Sequence, residues 1–379
     1  MTPVADVPLY QVERILCPTE YSPACARILH IATSLAEHLD AQVRVLHVWR
    51  TDTEGVEVVS VVPGHRDPLP GSHPPVPLIE DMRTLINHVP PSLRHRLSGI
   101  VAPGGIRHTI LQQAHDAQLI VMGTRGLTGL SHVLLGSVAE SIVARAPCPV
   151  MTTRPDPHPA FPRARIETLP DGLEVLIRPI VAEDRDLLRR GVEQLSPESR
   201  YRRFMAPIRT LTDAQLDVLT NLDYRDHMAW GAVAAEAPND VPIGSSRYRR
   251  IEGEPEVAEA AIAVVDAYQR RGIGTLLLKA LMRSAASNGI KSFRGYVLKD
   301  NTPVQCMLED ANATLVAEEG ECLQFDVALP ESVEEPEGDS PLERVFRAIA
   351  RRMTAGPRDG EAGGDGLKTV LEAYARLFR

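Results

Sequence analysis

The stretch Gln269-Arg270-Arg271-Gly272-Ile273-Gly274-Thr275 carries the plainest chemistry in this sequence. It follows an apolar run, Ala260 to Val265, and opens into Leu276-Leu277-Leu278-Lys279-Ala280-Leu281-Met282, which reads as a helix. A strand, a glycine turn and a helix start leave several backbone N–H groups pointing outward together. Those donors and the positive end of the helix dipole suit a phosphate-bearing ligand. Gly272 and Gly274 let the backbone approach it with no Cβ in the way. A bare Gly-x-Gly is also found at ordinary strand-to-helix turns, so the flanking sequence has to decide. Other side chains offer less. Ser22, His47 and His132 form no acid–histidine–nucleophile grouping on a strand-turn nucleophile. Cys17, Cys25, Cys148, Cys306 and Cys322 are odd in number and scattered, which fits reduced thiols better than a disulfide framework or a metal site.

With 379 residues, two domains are expected. Aromatic residues make up only 4% of the chain, so alanine, valine and leucine must fill the cores. A net charge of −9 argues against a general nucleic-acid binder. Met1 to Gln11 lacks the charged start and apolar stretch of a signal peptide. No run approaches the ~20 apolar residues that span a bilayer. A cytoplasmic protein is expected, without nucleic-acid or membrane partners.

In the first half, strands are expected at Arg14 to Cys17, Ala41 to Trp49, Gly99 to Ala102 and Gln118 to Gly123. Helices are expected from Ser22 or Pro23, from Leu78 to His88, near Pro90 to Leu97, and from Ile106 to His115. Residues 51–77 read as a long loop. Strands alternating with helices imply a parallel sheet covered on both faces, with ligands at the carboxyl ends of its strands. The last of these strands runs into Gly123-Thr124-Arg125-Gly126-Leu127-Thr128-Gly129, then Gly136-Ser137-Val138, and the half closes with Ala146-Pro147-Cys148-Pro149-Val150.

Over residues 10–153 these features resemble the universal stress protein family. Gly123, Gly126 and Gly136-Ser137 match the spacing of its ATP-binding members. The resemblance implies ATP or a related adenine nucleotide held by Pro18, Thr19, Glu20, Gly123, Arg125, Gly126, Gly136, Ser137 and Val138. The physical reading agrees, because a glycine loop and the helix start at Gly136-Ser137 can share a polyphosphate. Where the family usually carries Asp after its first strand, this chain has Glu20. A dimerisation scaffold that keeps the loop for its turns is the competing reading.

Thr153-Arg154-Pro155-Asp156-Pro157-His158-Pro159 cannot continue a helix or a central strand, and a linker is placed at 154–165. Beyond it, Leu173 to Ile180 alternates as a strand. Helices follow from Asp184, from Ser196-Pro197 and from Thr212 to Leu219. Ala229 to Ala235 and Val241 to Arg249 read as a hairpin, and Glu256 to Val265 as the central strand. This order resembles the GNAT acetyltransferase superfamily over residues 172–330, within a domain placed at 166–330. Gln269 to Gly274 matches its (Gln/Arg)-x-x-Gly-x-(Gly/Ala) pyrophosphate signature in full. The fold class expected is therefore α/β: a parallel-sheet domain followed by an α+β acyl-CoA transferase domain.

The resemblance implies acetyl-CoA as co-substrate, held by Val264, Val265, Gln269, Arg270, Arg271, Gly272, Ile273, Gly274, Thr275 and Asn301. Ser199 to Phe204, Leu222-Asp223-Tyr224, Ala258-Glu259-Ala260 and Asp266 to Gln269 are closer still to bacterial protein-lysine acetyltransferases of the Pat type. That closer resemblance puts Glu259 at the position of the general base. A lysine ammonium must lose a proton before it attacks a thioester, and a carboxylate can take it directly or through water. The thioester oxygen needs N–H donors, for which the backbone of Val264 and Val265 is expected. Glu254 and Glu256 sit before the apolar run and read as loop charges. The expected helix 303–310 lacks the Tyr that many members use as acid, and Cys306 there reads as a small packing residue.

The expected activity is acetyl transfer from acetyl-CoA to protein lysines, with acyl-CoA synthetases among the candidate acceptors and adenine nucleotide at the first domain modulating it. A homodimer or larger homo-oligomer is expected. A small-molecule amine acetyltransferase and a non-catalytic CoA- and ATP-binding adaptor are the alternatives. Residues 331–379 read as an acidic connector and two amphipathic helices.

Overall fold

The structure is a computed structural model that describes residues 10–22, 24–51, 55–66, 73–124, 136–153, 161–204, 208–234, 241–299, 313–319 and 322–329. It divides into two compact units, with the division between Arg163 and Ala164. Among the described residues, no helix is long and apolar enough to cross a membrane. The tail helices expected within 331–379 lie outside the described residues.

The first unit begins with β1 (Arg14–Thr19), α1 (Cys25–Leu39), β2 (Gln42–Trp49), β3 (Val59–Val61) and α2 (Val76–Asn87). A 3-10 turn, Pro91–Arg96, leads to β4 (Leu97–Pro103), α3 (Ile106–Ala114), β5 (Leu119–Gly123), α4 (Ser137–Arg145) and β6 (Val150–Thr153). The sheet runs β3-β4-β2-β1-β5-β6, parallel throughout except for β3. Its strands read as apolar runs because both faces are covered. Ile15, Cys17, Val43 and Val45 pack towards α1 and α2, whereas Leu16, Leu46, Ile120 and Met122 pack towards α3 and α4.

The short strand β3 lies within the stretch expected to be loop. Only Val59 and Val61 turn inward from it, too brief an alternation to register as a strand. Phe161, just past the proline-rich stretch, is buried in the first core, where its ring lies 6.0 Å from Tyr21 and 5.4 Å from His88. Arg163 pairs with the fully buried Asp81. The last part of the expected linker is thus packed onto the first unit.

The second unit begins with β7 (Arg165–Thr168) and β8 (Glu174–Pro179), then α5 (Arg185–Glu193), α6 (Pro197–Phe204) and α7 (Asp213–Thr220). Next come β9 (His227–Ala234), β10 (Val241–Ile251), β11 (Glu254–Val264), α8 (Ile273–Ser287), β12 (Ser292–Leu298), β13 (Thr314–Glu319) and β14 (Cys322–Ala328). The eight-stranded sheet runs β13-β14-β12-β11-β10-β9-β8-β7. Every neighbouring pair is antiparallel except β11 with β12. Thr212 caps α7, its hydroxyl accepting from the Gln215 N–H while the Gln215 side chain accepts from the Thr212 N–H. Helix α8 buries Ile273, Leu277, Leu278 and Leu281 against one sheet face, with Ala258 and Phe293 beneath it. Strand β7 was not anticipated, because its four residues alternate in exposure without being apolar.

Candidate active site

The one parallel pairing in the second sheet is short. β11 meets β12 only at Val257–Ser292, Ala258–Phe293 and Glu259–Arg294. Beyond that point β11 stays on β10 as far as Val264–Gly244, and β12 stays on β14 as far as Leu298–Cys322. The two strands therefore part, and a gap opens along Ala260 to Val264. The Val265 N–H donates to the Ile243 carbonyl on β10 at 2.9 Å. Alternation along a strand then turns the Val264 N–H away from β10, into the gap. Val265 is thus removed from the pair of expected backbone donors, because its amide is already committed to the sheet.

The far end of the gap is closed by the phosphate-type loop. A 3-10 turn, Asp266–Tyr268, carries the chain off the strand. The Gln269 Nε2 donates back to the Val264 carbonyl at 3.0 Å, which ties the loop to the strand end. Arg270 has φ 63° and Gly272 φ 93°, so the chain turns twice through the left-handed region before α8 starts at Ile273. Asp266 accepts from the Ser196 N–H at 2.8 Å and from the Ser196 and Ser199 hydroxyls at 3.0 and 2.8 Å, which fastens the start of α6 to the same corner. Burial raises the Asp266 carboxyl, but these hydrogen bonds outweigh it and hold the group below its ordinary value. Arg271 is engaged, donating from Nε to Asp171 at 2.5 Å and lying over the Tyr268 ring, while Arg270 is exposed. Ile273 is buried, and Gly274 and Thr275 are partly buried in the first turn of α8. Asn301 and the segment 303–310 with Cys306 lie outside the described residues.

A Cβ at Gly272 would meet nothing within 4 Å, so the cost of adding one comes from the backbone angle. Gly272→Ala should destabilise the domain by about 1 kcal/mol. It should also weaken acetyl-CoA binding about tenfold as the loop rebuilds, a change of about 1.4 kcal/mol that calorimetric titration would read.

Glu259 sits at the apex where the strands part. It is partly buried, and burial pushes its carboxyl up to about 7 against the opposing pull of Arg203 and Arg249. Arg249 is its cross-strand partner, and Arg203 comes from α6. The rival carboxylates are occupied. Glu254 takes two hydrogen bonds from Arg294, at 2.6 and 2.8 Å, and Glu256 pairs with Lys291 at 2.6 Å. Both belong to β11, not to a loop, because the chain turns at Gly253 with φ 82° and the strand starts directly after it. A cavity lies over the β8–β11 face beneath α5 to α7, lined by Leu187, Val192, Leu195 and Phe204 with Ala263 and Val265. Asp184 is the carboxylate in its lining, and Arg178 holds it at 2.6 and 2.7 Å.

In the first unit the carboxyl ends of β1 and β5 lie side by side, and the strand order reverses between them, the usual place for a ligand in such sheets. Pro18, Thr19 and Glu20 lead off β1, and Gly123 ends β5. The Gly136 N–H donates to the Thr124 carbonyl at 2.7 Å, which brings the start of α4, with Ser137 and Val138, to the same edge. The Thr124 hydroxyl is buried there without a hydrogen-bond partner among the described residues. An orphan hydroxyl beside a helix start fits a phosphate oxygen. Arg125 and Gly126 lie outside the described residues. His47 stacks on Tyr21 at 4.3 Å, and burial lowers it to about 4. The ring is held in the core by this stacking and by a 3.0 Å hydrogen bond between its Nδ1 and the Thr19 carbonyl oxygen.

Comparison with known proteins agrees with this division. Residues 11–154 match the universal stress protein family and residues 174–314 the acetyltransferase (GNAT) domain. An acetyltransferase of Pseudomonas aeruginosa is 36% identical over 126 residues, which is 33% of this chain and 67% of that protein. The acetyltransferase Pat of Mycolicibacterium smegmatis is 34% identical over 154 residues, 41% of this chain and 45% of that protein, so the match spans less than half the length of this second relative. Among solved structures, the GNAT domain of S. lividans PAT is 30% identical and covers 44% of this chain and 97% of its own, with a TM-score of 0.39.

Proposed function

The chain belongs to the acetyltransferase (GNAT) family and joins an acyl-CoA-dependent N-acetyltransferase domain to a universal stress protein domain, and on that premise we propose that it acetylates lysine side chains of proteins under the control of an adenine nucleotide. The observation that carries the reading is Glu259, a carboxylate with a pKa of about 7 at the point where β11 and β12 part.

Acetyl-CoA is the co-substrate and supplies an activated acyl group. Gln269 to Thr275 would receive its pyrophosphate on backbone N–H groups, with Arg270 adding charge. Glu259 takes the proton from the acceptor ammonium, which frees the lone pair for attack on the thioester carbon. The N–C bond forms, the C–S bond breaks and the sulfur leaves as thiolate, while the second proton lost from the nitrogen as the amide forms passes to that thiolate directly or through water. The Val264 N–H stabilises the charge that develops on the thioester oxygen.

A single lysine presented by a protein surface needs only Glu259. The M. smegmatis relative is named an acetyltransferase, Pat, and acyl-CoA synthetases are the first acceptors to test. The Thr124 hydroxyl and the α4 start support nucleotide binding at the first domain.

Incubation with acetyl-CoA and acyl-CoA synthetases, with and without ATP, followed by mass spectrometry, tests both parts. Acetyl-lysine that depends on the enzyme, at a rate that ATP changes, is expected. Acetylation of small amines alone would overturn the acceptor, and an equal rate at saturating ATP would overturn the control.

A further inference from the structure

We propose that Arg294 is a positioning residue whose double ion pair holds the apex between β11 and β12 and so fixes the width of the gap that receives acetyl-CoA. The proposal rests on the acetyl-CoA reading above.

The sheet of the second unit consists of two sub-sheets, β7 to β11 and β12 to β14, joined by three residue pairs. Arg294 belongs to the last of those pairs, opposite Glu259. Its side chain is nearly buried and is gripped from both sub-sheets. Nε and Nη2 donate to Asp326 on β14 at 2.7 and 2.8 Å, and Nη1 and Nη2 donate to Glu254 on β11 at 2.6 and 2.8 Å. One planar cation is thus forked onto both halves of the sheet, reaching from the last of the three pairs at Arg294 back to Glu254 at the start of β11. The other side-chain ion pair near this end, Lys291 with Glu256, is exposed on both partners, and such pairs hold little.

Stability alone does not call for this arrangement, since well-packed apolar residues usually match or exceed buried ion pairs. The guanidinium fork does supply fixed angles, because two-point contacts leave little freedom of rotation. Angles matter here by leverage. From Glu259 to Val264 the strand runs about 16 Å at ~3.3 Å per residue. A rotation of a few degrees at the apex therefore moves the far end of the gap, where the Val264 carbonyl holds the cofactor loop through Gln269, by ~1 Å, about the margin between a made and a lost hydrogen bond to the cofactor.

The test uses the full chain with Arg294→Lys, which keeps the charge and loses the fork, and with Glu254→Gln, which leaves the Asp326 contacts intact. CoA binding is measured by calorimetry and acetyl transfer by steady-state kinetics. Arg294→Lys is expected to raise the CoA Kd and the acetyl-CoA KM by about tenfold or more, and Glu254→Gln by about threefold, on the scale where 1.4 kcal/mol is tenfold. In both, kcat at saturating acetyl-CoA should stay within about threefold, the pattern of altered cofactor binding and not of lost chemistry. Folded variants with unchanged Kd and KM would overturn the proposal. So would a loss confined to kcat, which leaves cofactor binding untouched, or a loss confined to thermal stability, which is what a merely structural ion pair produces. Should Arg294→Lys fail to fold, Glu254→Gln decides alone, because its side chain is 42% exposed and its loss leaves the fold supported. Wild-type protein that binds no CoA would overturn the acetyl-CoA reading and this proposal together, whereas wild-type binding with unaffected variants overturns this proposal only.

Discussion

Replacing Glu259 with glutamine is expected to lower kcat by about 10²–10⁴-fold at neutral pH while leaving CoA binding near the wild-type value, the range for loss of a positioned general base. The amide is nearly isosteric but takes no proton, and it does not touch the loop Gln269 to Thr275. The wild-type rate should depend on pH in one direction. Only the ionised carboxylate accepts a proton, so kcat/KM should climb with pH through a midpoint near 7 and flatten above it. Arg203 and Arg249 oppose burial, so Arg249→Gln should move that midpoint to higher pH.

The same variant makes a second, opposite prediction for stability. The folded-state pKa of Glu259, about 7, lies above its ordinary 4.5. The folded state therefore holds the proton more tightly than the unfolded state between those values. The stability contributed by the protonated carboxyl is complete below about pH 4.5 and is lost as pH rises through 7. Glutamine does not titrate. Glu259→Gln should match wild type below about pH 4.5, lie within about 1 kcal/mol of it at pH 5, and exceed it above pH 7 by up to a few kcal/mol at about 1.4 kcal/mol per pKa unit. Thermal unfolding at pH 5 and pH 8 measures the difference. A variant that is slower and more stable at pH 8 is the signature of a carboxylate kept in an unfavourable place for its chemistry. Equal stability at both pH values, or an undiminished rate, would remove Glu259 from the role of base.

The largest loss of stability is expected from Asp184→Ala. Asp184 is 2% exposed and Arg178 1% exposed, and the two share a bidentate pair at 2.6 and 2.7 Å. The Val181 N–H donates to the same carboxylate at 2.9 Å. Alanine leaves a buried guanidinium without its counter-charge and an amide without its acceptor, a change that typically costs about 3–5 kcal/mol. The double variant Arg178→Met with Asp184→Ala should recover much of that loss, because the uncompensated charge goes with it. Hydrogen exchange resolved to peptides of residues 174–234 reports on this domain separately from the first. A loss below about 1 kcal/mol in the single variant would mean that water reaches Arg178 and the pair is not dry.

Much of the architecture was legible in the chain itself. The parallel sheet of the first domain could be read because strands buried on both faces are apolar runs, as in Leu119 to Gly123 between helical stretches. The cofactor loop could be read because Gly272 must take a positive φ and because its helix is amphipathic. Elements set by few residues were harder. β3 and β7 are short and carry little periodic signal. The start of β11 was placed two residues late, at Glu256, because Glu254 and Glu256 are charged, and the cations that pair with them, Arg294 and Lys291, lie some forty residues further on.

By its own residues the sequence pointed to a parallel-sheet α/β domain followed by an α+β domain, a candidate glycine-turn anion site in each, and a carboxylate on the central strand of the second, because periodicity, glycine placement and family motifs are local properties. Tertiary structure alone decided which of three glutamates on one strand is available. It bound Glu254 and Glu256 to cations on and just before a neighbouring strand, left Glu259 at the point of divergence, and raised its pKa by burial. It likewise gave the gap-facing amide to Val264 and committed that of Val265 to Ile243. Both outcomes depend on strand register, which is fixed by partners distant in the chain and by packing on both faces of the sheet.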